Sequence, residues 1–92
     1  MIYVTMFRMI VFTKHAREKF SVLKRHGVHV TEDEVRRAIE KPSVIDHSRE
    51  PLLIAQVVFD AKRVLRVVYK REGATKKVIT FYPGRKKQYE KN

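Results

Sequence analysis

The residues best able to handle a phosphodiester lie in the second half of the chain: Arg66, Lys70, Thr80, Tyr82, Arg85, Lys86, Lys87 and Tyr89. Guanidinium groups hold phosphate through paired hydrogen bonds, and a tyrosine ring offers a flat surface for an unpaired base. Cations interleaved with aromatics on a sheet suit single-stranded RNA better than a DNA groove, which usually receives a helix. The same residues equally fit the wet side of a half-exposed sheet. His15 adds a group that titrates near neutrality and can serve as general base or acid in RNA transesterification. It follows Lys14 and shares a helical face with Lys19 and His26. Its alternative is a surface histidine at a helix start. Glu32, Asp33 and Glu34 are better explained by helix capping than by catalysis.

Several chemistries are excluded. There are no cysteines, so neither a disulfide framework nor thiolate chemistry is expected. The four scattered histidines match no recognised metal motif, and no metal or cofactor is expected. A Gly-rich phosphate loop, a G-x-S-x-G elbow and an H-E-x-x-H helix are all missing.

The elements that must position these residues read as α+β. "MIVFT" at 9–13 suggests a strand, after which Thr13 caps a helix through "KHAREKFSVLKRHG". Ala16, Phe20 and Leu23 recur there at helical spacing and Gly27 stops it. "VTEDEVRRAIEKP" carries a capping box, Thr31 with Glu34, an apolar stripe of Val35, Ala38 and Ile39, and a terminating Pro42. From Ser43 the period becomes two. "SVIDHS" reads as a short strand or a turn, and "LLIAQVVFD", "VLRVVYK" and "KKVITFY" as three strands with short connections. Short loops predict antiparallel pairing, so the expected fold is an N-terminal strand and two helices packed on one face of an antiparallel β-meander.

Assumed three-residue loops, Ala61–Arg63 and Glu72–Ala74, give a definite register. Val67 then faces Ile79, Leu65 faces Phe81, Arg66 faces Thr80, Val68 faces Val78, and Val58 lies opposite Arg66. Leu53, Ala55, Val57, Phe59, Leu65, Val67, Tyr69, Ile79 and Phe81 fall on an apolar side. Gln56, Val58, Arg66, Val68, Lys70, Val78, Thr80 and Tyr82 fall on the other. A one-residue slip would exchange the two sets, which burial forbids. Arg66 then stands near the middle of the face without helices.

Ninety-two residues make a single domain, 1–92, with 1–8 read as an N-terminal extension and 84–92 as a basic tail. Twenty-one Lys and Arg against ten Asp and Glu give a net charge of +11, a field that attracts nucleic acid or an acidic protein. The opening "MIYVTMFRMIVF" is interrupted by Arg8 and is shorter than a membrane span, so a cytoplasmic protein without membrane contact is expected.

"FTKHAREKF", "HGVHVTEDEVRRAIEKPSVI", "VLRVVYK" and "VITFYP", in that order, resemble the small family labelled domain of unknown function 4258 over residues 11–83. That family is similar in organisation to the toxin ribonuclease folds of the BECR type, which include RelE-like mRNA interferases and colicin tRNases. The tail "GRKKQYEK" also looks like the basic, tyrosine-containing end of RelE-like toxins. The resemblance implies a toxin–antitoxin type endoribonuclease that cleaves RNA without metal, a 2′-hydroxyl attacking the adjacent phosphate, with an acidic antitoxin as partner. It implies that Arg66 and Arg85 hold and neutralise the phosphate, that His15 or Tyr89 moves protons, and that Thr80 and Tyr82 line the site. Lys14, Lys19, Lys70, Tyr82, Lys86 and Lys87 would bind the nucleic acid around it. The chain departs from some RelE-like toxins in lacking the dense lysine set that they use as a base. Two other expectations stand beside the enzyme: an RNA-binding module without catalysis, and a protein-interaction domain pairing with a second copy through a sheet edge.

Overall fold

The computed structural model describes residues 9–89, so the expected extension over 1–8 and the last residues of the tail, 90–92, lie outside the described part. The elements are β1 (Met9–Phe12), α1 (Lys14–Arg25), α2 (Glu32–Glu40), β2 (Val44–Asp46), β3 (Leu53–Val58), β4 (Arg63–Glu72), β5 (Thr75–Arg85) and α3 (Lys86–Tyr89). They form an α+β structure with one five-stranded sheet in the order β1-β5-β4-β3-β2. No helix among the described residues is long and apolar enough to cross a membrane.

Local signals set the helices. The Thr13 hydroxyl accepts the Ala16 N–H at 3.1 Å, so α1 starts where its cap requires. α1 ends in a Schellman motif: Val28 N–H reaches the Leu23 carbonyl and Gly27 N–H the Lys24 carbonyl. Gly27 has φ +82°, a conformation that costs glycine little and a side chain much. α2 carries the expected reciprocal capping box, Thr31 N–H to Glu34 Oε1 at 2.8 Å and Glu34 N–H to Thr31 Oγ1 at 3.2 Å. Glu32 joins the helices by accepting from Arg17 of α1 and Arg36 of α2.

Ala16 of α1 and Val35, Ala38 and Ile39 of α2 share one core with Leu53, Ala55, Leu65, Val67, Tyr69, Val78 and Phe81 of the strands. Burying such a set supplies about 1.5–3 kcal/mol for each large side chain.

The sheet corrects the expected pairing in two respects. First, β1 is not laid on a face of the meander: it is an edge strand inside the sheet, parallel to β5 through Met9↔Thr75 to Phe12↔Val78. The sheet is therefore mixed, only β2 to β5 being an antiparallel meander. Second, the register differs. The β4–β5 turn is the two-residue Gly73–Ala74, with Glu72↔Thr75, and Gly73 takes φ +63°. That turn alone would set every side chain of β5 from Thr80 onward on the wrong side. A bulge between Val68 and Tyr69 on the β4 register inserts Ile79 as an extra residue on β5 and restores the alternation, giving Val67↔Phe81 and Arg66↔Tyr82. Val78 therefore joins the core, fully buried, while Ile79 moves to the second face; the expectation had these two reversed. In β3–β4 the longer connection shifts the pairing by two residues, so Gln56 rather than Val58 opposes Arg66.

Candidate functional site

β2, β3, β4 and β5 each contribute to the face of the sheet away from the core. Alternation places Asp46, Ile54, Gln56, Arg66, Val68, Thr80 and Tyr82 there, because Asp46↔Ile54, Gln56↔Arg66 and Arg66↔Tyr82 are cross-strand pairs. α3 folds back over this face. Its Tyr89 ring lies 4.1 Å from the Arg66 guanidinium carbon, and Tyr82 lies at 6.0 Å. The result is a groove of about 540 Å³ whose walls include Asp46, Arg49, Arg66, Thr80, Tyr82 and Tyr89.

Arg66 occupies the centre and is 5% exposed. Its Nε donates to Tyr82 Oη at 3.2 Å, one terminal nitrogen to Gln56 Oε1, and the other to Asp46 Oδ2 at 2.8 Å. Three of the five guanidinium N–H groups are thus committed, and two are left for a ligand. Because Tyr82 Oη accepts from Arg66, its own O–H is free to donate. The Arg66 hydrogen bond, helped by the Ser48 backbone N–H, holds the Asp46 carboxyl far below its ordinary value of 3.8. Burial works against the charge on Arg66, but the bonds to Tyr82 and Asp46 outweigh it and raise its pKa. Both groups stay ionised, so the centre of the groove is a neutral pair.

Gly84 sits on the same face, and a Cβ there would meet Tyr89 Cε2 well inside van der Waals contact. Glycine at this position is what lets the ring settle against the strand. Thr80 Oγ1 is buried beside the groove with no hydrogen-bond partner among the described residues.

Of the residues singled out in the sequence, Arg66, Thr80, Tyr82 and Tyr89 come together in this groove. Arg85 does not: it lies three residues beyond Tyr82 on β5, about 10 Å along the strand, and lines a separate hollow with Lys86 and Lys87. Lys70 is exposed further up β4, paired with Lys77. Lys14, His15 and Lys19 are on α1, Lys14 and His15 exposed and Lys19 partly covered. None of the three is among the residues that line the groove, although the α1 cap, Thr13, donates from Oγ1 to the carbonyl of Ile79, which is.

Asp46 and Gln56 were missed. The signal for Asp46 was available: an arginine in the middle of a central strand requires a carboxylate, and Asp46 is an acid on a short strand-like stretch. Compared with protein-family models, curated proteins and solved structures, the chain matches none.

Proposed function

We propose that this protein is an RNA-directed, toxin-type domain that cleaves a single strand without metal, with the Arg66 groove as its site. The observation that carries the reading is that four residues with the right chemistry, Arg66, Thr80, Tyr82 and Tyr89, line one groove on the second face of the sheet. In this reading α1 and α2 shield the core face in a RelE-like arrangement. Tyr89 and Tyr82 stack on bases, and the two spare N–H groups of Arg66 with the Tyr82 O–H bind the phosphate. Tyr89, in the groove, or His15, on α1 outside the groove's lining, moves the proton of the attacking 2′-hydroxyl. The net charge of +11 draws the strand in and would equally serve an acidic antitoxin.

The Asp46–Arg66 pair favours a second reading, RNA binding without cleavage, since a neutralised guanidinium offers less charge to a transition state. Single-stranded RNA incubated with the protein in chelator separates the two. Cleavage leaving a 2′,3′-cyclic phosphate is expected, falling about 100-fold in His15→Ala or Tyr89→Ala. Gly84→Ala, which only pushes the Tyr89 ring from its seat, should lower it as well. Binding with no cyclic product establishes the module instead. Absence of binding at low salt removes both.

A further inference from the structure

A second basic hollow, of about 870 Å³, opens where the β3–β4 connection meets the junction of β5 and α3. Lys62, Arg63, Arg85, Lys86 and Lys87 line it. A backbone hydrogen bond from Lys86 N–H to the Lys62 carbonyl, 2.9 Å, clamps the two segments together, so these cations are adjacent by construction. The β3–β4 connection is itself fixed: Asp60 accepts from the backbone N–H groups of Lys62 and Arg63 and from the Arg63 guanidinium. Asp60 thereby neutralises Arg63. Among the described residues no carboxylate pairs with Lys62, Arg85, Lys86 or Lys87. Four cations thus line one hollow with no paired carboxylate among the described residues, whereas Arg66 is paired at the centre of its groove.

We propose that this hollow is a second anion site, which holds the sugar–phosphate backbone of the RNA strand whose bases enter the Arg66 groove. The assignment rests on the RNA reading of that groove. Lysines act as point charges on phosphate and carry no sequence information, which suits backbone tracking. Among the described residues no aromatic ring lines the hollow, so it lacks the tyrosine platforms of the Arg66 groove. Arg85, about 10 Å along β5 from Tyr82, then belongs to the backbone track and not to the reacting phosphate. α3 separates the two sites, presenting Tyr89 to one and Lys86 and Lys87 to the other.

Binding of a fluorescent oligouridylate, titrated from 50 to 200 mM salt, tests this with the wild type, Lys62→Ala/Lys87→Ala and Tyr89→Ala. Each lost phosphate contact on a single strand lowers the slope of log K against log salt by about 0.7, so the double variant should lose about 1.4. Tyr89→Ala should weaken binding with its slope unchanged. A double variant with wild-type slope and affinity overturns the proposal. A polyglutamate peptide that binds as tightly as oligouridylate, with the same loss in the double variant, reassigns the hollow to an acidic protein and overturns it too. If oligouridylate fails to bind the wild type, the function proposed for the groove falls. Inorganic tripolyphosphate then decides the hollow alone: amide shifts at Lys62 and Lys87 keep it as an anion site, and their absence removes it.

Discussion

A guanidinium set into the middle of a sheet face would cost several kcal/mol of lost hydration if it stood alone. Arg66 avoids that cost through Asp46, Gln56 and Tyr82, and the same partners limit what it can offer a phosphate. Asp46→Asn separates these roles. It should lower stability at neutral pH by about 1–2 kcal/mol, because an amide still accepts a hydrogen bond but brings no charge. It should also strengthen RNA binding at low salt, since Arg66 is released and the domain gains one positive charge. An unfolding midpoint and a binding isotherm check both; unchanged RNA affinity would make Arg66 a purely structural residue. The pH dependence has a definite sign. The folded Asp46 carboxyl titrates below its unfolded value of 3.8, so the unfolded chain binds more protons. The stabilisation is full above that value and is lost as pH falls through the lower folded one. Glu32 and Asp60 are shifted the same way, so the variant should flatten the acid limb of the stability curve without abolishing it. Thr80 makes a contrasting case. Its buried hydroxyl has no partner among the described residues, so Thr80→Val should leave the melting temperature unchanged or raise it. A clear loss of stability would show that the hydroxyl is satisfied in solution. The central position of Arg66 on the sheet was legible in the sequence from a lone cation amid apolar neighbours. That it needed an acid could also be read, but which residues would meet it could not, because their positions depend on register.

Register is decided at the scale of elements, by turn length and by one bulge. The two-residue Gly73–Ala74 turn and the bulge at Ile79 offset one another, so the composition of the far half of the core face could be read correctly from assumed loops that were themselves wrong. Val78 and Ile79, next to the bulge, are where the reading failed. Thr13 holds this irregularity: its N–H donates to the Val78 carbonyl and its hydroxyl to that of Ile79, while the same hydroxyl caps α1. Thr13→Ala should therefore cost more than an ordinary cap, about 2 kcal/mol, and Thr13→Ser should restore most of it. Thermal unfolding of the pair measures this. Equal losses in both variants would exclude the hydroxyl as the cause. The helix starts were legible to the residue, and the ends to within two, because capping chemistry is local: Thr13, Gly27, Thr31 and Glu34 act within one turn. α3 carried no such signal. It is one turn long and depends on Tyr89 finding Arg66 and Gly84, both contributed by strands.

For the whole molecule, the excess of positive charge was legible as a property and its division was not. The fold separates it into a groove whose central cation is paired and a hollow where, among the described residues, only Arg63 has a carboxylate partner, and no count of lysines anticipates that separation. The sequence likewise carried no mark of the parallel pairing of β1 with β5, because nothing local distinguishes a strand that joins a sheet from one that lies across it. Thr13 and Ile79, which meet at that seam, are 66 residues apart in the chain. A ribosome making this protein must therefore release β5 before β1 has anything to pair with. Until then the first strand waits with an unpaired edge, exposed to other chains. The groove is completed later still, when α3 emerges and Tyr89 closes over Arg66. If the groove handles RNA as proposed, a nascent chain should lack that capacity until α3 has emerged and folded back.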